Sequence, residues 1–182
     1  MVKSRTCVFI SGQGSNLKNL IYHSRDKNFP IKICLIASNN KNAYGIKYAQ
    51  KYKIPYITFN TQLKNYNNKI LLNLKKHKIS FICLAGYMRI ISPNLIMKYE
   101  NRIINIHPSL LPKFKGLNTF SRMLKNKEKK AGCTVHYVNK KLDSGNSIVQ
   151  KSFFIKENDK VSNLKEKTQR LEYKAFPEAI IK

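Results

Sequence analysis

The sequence predicts an α/β protein with a doubly wound, mostly parallel sheet and antiparallel strands late in the chain. Three observations predict it: short apolar runs recur at a steady interval, segments with helical spacing separate them, and the pattern changes after His107. Short apolar runs bounded by turn residues are typical of buried strands. Strands that alternate with helices form a parallel sheet with right-handed crossovers.

The first part of the chain contains five predicted strands and four predicted helices. The strands occupy residues 6–11, 32–38, 55–59, 80–85 and 103–107. The helices occupy residues 15–25, 43–51, 66–77 and 94–99, where the apolar residues have helical spacing. This alternation indicates a parallel sheet.

The second part of the chain has a different order of elements. A proline-rich loop leads to a helix near residues 119–127, and strands at 132–138 and 147–154 follow, joined by residues 139–146. An amphipathic segment at 160–176, apolar at Val161, Leu164 and Leu171, predicts a helix laid on the sheet. We expect the two late strands to be antiparallel or at the edge of the sheet.

Length and composition favour a single domain. A chain of 182 residues with 42% hydrophobic content can bury one sizeable core, so we expect one domain over residues 1–182. No apolar run is long enough to span a membrane, and the first residues lead directly into a strand pattern without a signal-peptide core. We therefore expect a cytoplasmic protein without membrane contact.

The four cysteines are predicted to be reduced residues of the core. Cys7, Cys34, Cys83 and Cys133 lie far apart in the sequence, and no CxxC pair suggests zinc or redox chemistry. Apart from His107, the histidines are His23, His77 and His136, and they offer no i, i+4 spacing for a metal. No serine or cysteine stands in a nucleophile-elbow context. We expect neither a metal nor a covalent intermediate.

The net charge of +26 raises the hypothesis of a polyanionic partner. The lysines are scattered over nearly every predicted helix and loop, mixed with Asn and Ile, which is what a coding bias toward A and T would produce on a tolerant surface. Nucleic acid is therefore not the expected partner. Weak RNA binding and attraction of anionic small molecules remain alternatives that composition does not separate.

Two loops that follow predicted strands could bind ligands, because ligands of open α/β sheets bind at the carboxyl ends of the strands. Residues 11–16 (SGQGSN) open the first helix, where backbone N–H groups can hold a phosphate, although Leu17 stands where a dinucleotide-binding loop has its third glycine. Residues 84–93 (LAGYMRIISP) could close over a flat heterocycle with Arg89 beside it. Alternatively, Met88, Ile90 and Ile91 are core residues and Arg89 is a surface charge.

Two later loops could supply catalytic groups. In residues 105–112 (NIHPSLLP), Asn105 and His107 alternate along a strand and can face one reacting centre, as an oxyanion donor and a proton-transfer group. Residues 141–146 (KLDSGN) contain Asp143, which is either an ordinary turn residue or a partner that raises the pKa of His107.

These four motifs, in this order and spacing, closely resemble those of the phosphoribosylglycinamide formyltransferase family from residue 7 to about residue 178. The resemblance implies a Rossmann-like formyltransferase fold. It also implies direct transfer of the formyl group of 10-formyltetrahydrofolate to the amine of glycinamide ribonucleotide. We expect the protein to be a monomer or homodimer.

The resemblance assigns roles to individual residues of this sequence. It implies that the catalytic residues are Asn105, His107 and Asp143. It implies that the nucleotide is bound by Gly14, Ser15, Asn16, Gln169 and Glu172. It implies that the folate is bound by Lys64, Met88, Arg89, Ile90, Ile91 and Asn105, with Lys64 standing where the family has an arginine.

Two alternatives to this function remain. The catalytic domain of methionyl-tRNA formyltransferase shares the motif at 105–112, but it has a further C-terminal domain and usually reads Gly-Ala-Pro where this chain has Gly116, Leu117 and Asn118. A basic RNA-binding domain without catalysis is the second alternative. RNA-binding modules usually expose aromatic residues on a sheet, whereas the strands predicted here are apolar on both faces.

Overall fold

The computed structural model describes residues 2–182, in which strands and helices alternate. The strands are β1 (Ser4–Ile10), β2 (Ile31–Ser38), β3 (Tyr56–Thr58), β4 (Phe81–Leu84), β5 (Ile103–His107), β6 (Lys130–Tyr137) and β7 (Ser147–Phe154). The helices are α1 (Ser15–Ser24), α2 (Ile46–Lys51), α3 (Tyr66–Lys76), α4 (Pro93–Lys98), α5 (Thr119–Lys125) and α6 (Val161–Ile181).

The strands form one sheet in the order β3-β2-β1-β4-β5-β6-β7. Strand β1 pairs in parallel with β2 and β4, β2 pairs in parallel with β3, and β6 and β7 are antiparallel. The predicted α/β class, with a late antiparallel pair, is confirmed. The chain divides into two compact units, Met1–Ile104 and Asn105–Lys182.

The first unit is built around β1. Residues Cys7, Val8, Phe9 and Ile10 have no exposed surface, as expected for a central parallel strand covered on both faces. Helix α1 buries Leu17, Leu20 and Ile21. The four cysteines of the chain are free and buried, so their interpretation as core residues is confirmed.

Helix α2 begins three residues later than predicted, at Ile46. The backbone N–H of Gly45 donates to the carbonyl of Gly12 at 3.0 Å. Residue 45 therefore serves a tertiary contact between two loops, which local sequence spacing does not reveal.

The second unit packs α5 and α6 against β6 and β7. Met123, Ala131 and Leu164 form the centre of this core, with Phe120 and Phe153 packed against it. Helix α6 continues five residues past its predicted end at 176 and contains Pro177. Proline disfavours a helix interior, but Phe176 and Ala179 on either side of it are buried, and this burial offsets the lost backbone bond.

Within residues 2–182, no helix is both long enough and apolar enough to cross a membrane.

Candidate active site

The glycine-containing loop at residues 11–16 leads from β1 into α1, as predicted. Gly14 is the N-cap residue of α1 and has a φ of 72°, a left-handed conformation that favours glycine. A Cβ at this position would lie 2.6 Å from the Cα of Gly45. Both the backbone angle and the close approach of the next loop therefore require a glycine here.

Ser11 connects three loops at the carboxyl edge of the first unit. Its hydroxyl donates to Asn39 Oδ1 at 2.5 Å and accepts the backbone N–H of Met88 at 2.8 Å. These bonds join the ends of β1 and β2 to the loop that follows β4. The glycine loop and the apolar loop, which were separate motifs in the sequence, are thus neighbours in the first unit.

The loop after β4 exposes large apolar side chains. Met88 is 62% exposed and Ile90 is 78% exposed, whereas Ile91 is buried. The interpretation as core residues is therefore wrong for Met88 and Ile90 and correct for Ile91. Arg89 is also exposed.

Tyr87 attaches this loop to the core of the first unit through aromatic contacts. Its ring makes edge contacts with Phe9, with the ring centroids 5.4 Å apart, and it also contacts Phe59. Burial raises the pKa of Tyr87, so its hydroxyl stays neutral. Met88 and Ile90 are therefore exposed on a loop that the Tyr87 ring holds in place.

Three other predicted binding residues lie on different elements. Lys64 is exposed in the turn before α3. Gln169 and Glu172 are half-buried, on successive turns of α6 in the second unit. None of these positions contradicts the role expected of it.

In the second unit, the predicted catalytic residues Asn105 and His107 both lie near the carboxylate of the third, Asp143. Asp143 Oδ2 lies 3.4 Å from His107 Nδ1 and accepts the backbone N–H of Gly116 at 2.8 Å. Asp143 Oδ1 lies 3.5 Å from Asn105 Nδ2. Asp143 is buried, so it is more than a solvent-facing turn residue.

Backbone geometry brings Asp143 to this position. The turn between β6 and β7 folds back so closely that a Cβ on Gly145 would overlap the carbonyl oxygen of Tyr137. Asp143 itself has a φ of 44°, a conformation that aspartate tolerates better than most residues. The close approach therefore requires a glycine at position 145, and the positive φ favours an aspartate at position 143.

The charge state of Asp143 follows from its neighbours. Burial raises its pKa, but in the acid range where Asp143 titrates both neighbouring imidazoles can carry an extra proton, and contacts with His136 and with the Gly116 N–H, and the charge of His107, outweigh burial. The pKa of Asp143 therefore lies below its ordinary value of 3.8. The group is a carboxylate at neutral pH.

The pKa of His107 is lower than expected. Burial lowers it, and the Phe114 carbonyl and Asp143 oppose this shift without overcoming it. Asp143 raises the pKa of His107, as expected, but the net pKa still lies below its ordinary value of 6.5, because removal of the ring from water is the larger effect. The resting imidazole is neutral at physiological pH.

The surroundings of His107 nevertheless suit the imidazolium. Nε2 lies 2.9 Å from the Phe114 carbonyl oxygen, and Nδ1 lies 3.4 Å from Asp143 Oδ2. Both ring nitrogens therefore face acceptors. If negative charge develops nearby, the ring can take up a proton, because each nitrogen already has an acceptor for its N–H.

His136 is the site residue that sequence reasoning missed. It is buried on β6, with Nε2 3.7 Å from Asp143 Oδ1 and 3.2 Å from Asn105 Nδ2. The only signal in the sequence was a histidine within a predicted apolar strand. Its position beside Asp143 depends on the pairing of β6 with β7 and on the turn between them.

These four residues can stabilise an anion and move a proton. Asn105 has an amide N–H, His107 can become a cation, and Asp143 holds a fixed negative charge beside it. Among residues 2–182, no three His, Cys, Asp or Glu side chains are grouped closely enough to hold a metal ion.

The sequence matches the family model described as "Formyl transferase" over residues 4–180. It is 35% identical to the phosphoribosylglycinamide formyltransferase of Haemophilus influenzae, over 95% of this chain and 84% of that protein. It is 39% identical to the human trifunctional purine biosynthetic protein adenosine-3, over 98% of this chain but only 18% of the human protein.

Comparison with solved structures indicates the same family. The crystal structure of phosphoribosylglycinamide formyltransferase from Brucella melitensis superposes with a TM-score of 0.92 and 37% identity, covering 98% of this chain and 94% of that one. The family match covers nearly all of the described residues, and both the motifs and the fold agree with it. The chain therefore belongs to the formyl transferase family, with the phosphoribosylglycinamide formyltransferases among its relatives.

Proposed function

We propose that this protein transfers the formyl group of 10-formyltetrahydrofolate to the amine of glycinamide ribonucleotide in purine synthesis. The products are formylglycinamide ribonucleotide and tetrahydrofolate. The observation that carries the proposal is the contact of Asn105 and His107 with one buried carboxylate, Asp143, in the second unit. The relatives named phosphoribosylglycinamide formyltransferase support this choice of substrate.

The reaction begins when the substrate amine attacks the formyl carbon directly. A C–N bond forms, and the formyl oxygen becomes the anion of a tetrahedral intermediate. One N–H of Asn105 and the imidazolium of His107 stabilise that anion; the ring takes up a proton from solvent as the anion develops and returns it when the anion collapses. His107 Nδ1 stays with Asp143, so Nε2–H, which the Phe114 carbonyl accepts in the unliganded protein, is the group that turns to the oxyanion.

The intermediate then collapses toward products. The attacking nitrogen loses a proton, the bond from the formyl carbon to the folate nitrogen breaks, and that nitrogen gains a proton. Asp143 holds the imidazolium of His107 during this transfer. The amine is the nucleophile throughout, so no acyl-enzyme forms.

The substrates are assigned to the predicted residues. Gly14, Ser15 and Asn16 hold the nucleotide phosphate at the amino terminus of α1, and Gln169 and Glu172 bind its ribose and glycinamide end. The folate is bound by Lys64, Met88, Arg89, Ile90 and Ile91, together with Asn105. Because the side chain of Ile91 is buried, Ile91 contributes through its backbone. The exposure of Met88 and Ile90 supports an apolar surface that a flat heterocycle would cover.

The protein is proposed to act in the cytoplasm, as a single domain over residues 1–182 and as a monomer or homodimer. Its partners are the two small-molecule substrates.

An absorbance assay for loss of formyl-folate tests the proposed reaction. Purified protein receives 10-formyltetrahydrofolate with glycinamide ribonucleotide, with initiator methionyl-tRNA, or with neither. Turnover only with the nucleotide supports the proposal. Turnover only with the tRNA, or none in any arm, contradicts it.

The first prediction concerns the catalytic residues. His107→Ala and Asp143→Ala should each lower kcat by at least ~10²-fold, the lower end for proton-transfer catalysis. Lys141→Ala, an exposed change in the same turn, is the matched control and should keep wild-type kcat. Near-normal turnover in either alanine variant would contradict the assignment.

The second prediction concerns the apolar loop. Ile90→Asp should raise KM for the folate ~10-fold or more, equivalent to about 1.4 kcal/mol, because a carboxylate would have to lose water against an apolar ligand. KM for the nucleotide should be unchanged. Leu72→Asp, at an exposed apolar position on α3, is the control. Equal effects of both changes on KM for the folate would argue against a folate contact at Ile90.

A further inference from the structure

Two histidines lie near different oxygens of the Asp143 carboxylate, and their hydrogen-bond partners differ. His107 Nδ1 faces Oδ2 at 3.4 Å, and His136 Nε2 faces Oδ1 at 3.7 Å. Both rings are buried. Both nitrogens of His107 face only acceptors, whereas Nε2 of His136 also faces the amide nitrogen of Asn105. The two rings therefore suit different protonation states.

The partners of His136 define one tautomer. Its Nδ1 lies 2.8 Å from the Tyr137 carbonyl oxygen, which can only accept, so Nδ1 carries the hydrogen. Its Nε2 lies 3.2 Å from Asn105 Nδ2, which can only donate, so Nε2 offers its lone pair. His136 is therefore neutral and protonated at Nδ1.

The orientation of the Asn105 amide is determined independently. Asn105 Nδ2 also lies 3.5 Å from Asp143 Oδ1, and a carboxylate oxygen can only accept. An amide turned the other way would place its carbonyl oxygen against that carboxylate. The same orientation therefore satisfies both Asp143 and His136.

The two acceptors leave one N–H of Asn105 available. His136 Nε2 and Asp143 Oδ1 are 3.7 Å apart and lie 3.2 and 3.5 Å from Nδ2. The angle that they subtend at Nδ2 is therefore well below the roughly 120° between the two N–H bonds of an amide. A single N–H directed between them can serve both acceptors as a three-centre bond, which leaves the second N–H for another acceptor.

We infer that His136 is a positioning residue for formyl transfer: as the neutral Nδ1–H tautomer, it holds one N–H of Asn105 so that the other points to the reacting oxygen. This inference rests on the proposed function. A proton on Nε2 would face the Asn105 N–H and break the arrangement. The buried groups around this ring are Asp143 and His107, with Arg122 acting on His107 from α5.

Nitrogen NMR of the wild-type protein tests the tautomer without any assay of activity. Two-bond 1H–15N spectra of histidine-labelled protein distinguish a protonated ring nitrogen from a bare one. A protonated Nδ1 with a bare Nε2 at neutral pH supports the inference. A hydrogen on Nε2, alone or together with Nδ1, overturns it.

Substitution at residue 136 tests the effect on the reaction. His136→Phe removes the acceptor but keeps a buried ring, and kcat should fall at least ~10-fold with KM for both substrates within about twofold, since an oxyanion donor is misplaced. His136→Gln restores a carbonyl oxygen near the place of Nε2 and should recover most of kcat. His77→Gln makes the same change at a histidine outside this cluster and should keep wild-type kinetics.

Each kinetic result has a defined meaning. Wild-type kcat in His136→Phe, equal losses in the Phe and Gln variants, or a loss confined to KM would overturn the inference. If the Phe variant does not fold, the NMR experiment on the wild type decides the question. A wild-type protein without turnover counts against the proposed function instead, so the two failures are distinguishable.

Discussion

At the scale of single residues, the charge states in the site depend on how far each ionisable group is removed from water. His107 and Asp143 are both buried, and each pKa shift is downward for a different reason. For His107 the loss of water is the main cause, whereas Asp143 gains enough from its neighbours to overcome it. The result is a carboxylate beside a neutral imidazole, which can take up a proton when negative charge approaches.

The shift at His107 predicts a loss of stability in mild acid. Its pKa in the folded protein lies below the ordinary value of 6.5, so the unfolded chain binds this proton first as the pH falls. Above about pH 6.5 the group has no effect, and below it the free energy of unfolding decreases. Urea unfolding of wild type and His107→Gln between pH 8 and pH 5 measures this, with the steeper loss expected in the wild type.

The same slope in both proteins would contradict that prediction. Asp143 acts in a lower window: its lowered pKa adds stability above its ordinary value of 3.8, and this is lost as the pH falls through the folded-state value. The two effects therefore separate along the pH axis, and the mild-acid part belongs to His107.

Sequence reasoning at this scale predicted Asn105, His107 and Asp143 as site residues but did not predict His136. The first three stand in loops or at strand ends with Pro, Gly or turn residues around them, which are local signals. His136 lies within a strand, where a histidine has no local signal of function. Its contacts with Asp143 and Asn105 depend on a turn that only the folded chain closes.

At the scale of elements, the glycine loop shows how two segments constrain one residue. Gly14 needs both a left-handed backbone angle and close approach to Gly45. The sequence pattern predicted the loop but not its contact with the start of α2. That contact also explains why α2 begins later than its apolar spacing indicates.

The stability of this loop can be tested with a matched pair of substitutions. Gly14→Ala should lower the free energy of unfolding by roughly 1–3 kcal/mol, because alanine resists the left-handed angle and its Cβ would meet Gly45. Gly12→Ala, where a Cβ meets no atom within 4 Å, should change it by less than about 0.5 kcal/mol. Urea denaturation of both variants measures the difference. Equal changes would mean that the close approach to Gly45 does not limit this position.

At the scale of the whole molecule, the net charge of +26 is unevenly compensated. Ion pairs such as Lys113–Glu128 and Lys151–Glu178 lie in the second unit. Among residues 2–104, the acidic residues are Asp26 and Glu100.

Some of the basic side chains of the first unit have a structural role. Arg5 Nε donates to the carbonyl of His77 at the end of α3, and Arg102 donates to the carbonyl of Lys98 at the end of α4. Cations are favourable at helix carboxyl ends, where carbonyl groups lack partners. These two arginines therefore have a function that requires no polyanionic partner.

Mutual repulsion of the excess charge predicts that salt stabilises this protein. Raising NaCl from ~20 mM to ~300 mM shortens the screening length from above 10 Å to below it, so the Tm should rise by several degrees as self-repulsion weakens. Sucrose at equal osmolality is the control for effects other than screening. A Tm that is flat or falls with NaCl would show that the charges are too far apart to affect stability.

Local sequence patterns were enough to predict the order of strands and helices, the buried cysteines and three members of the four-residue cluster, Asn105, His107 and Asp143. They were enough because strand periodicity, helical spacing and turn residues are properties of a few neighbouring positions. The exposure of Met88 and Ile90, the lowered pKa of His107 and the contact of His136 with Asn105 could be seen only in the folded chain. These depend on which segments cover a group from water and on distances between residues far apart in the chain, and no local pattern records either.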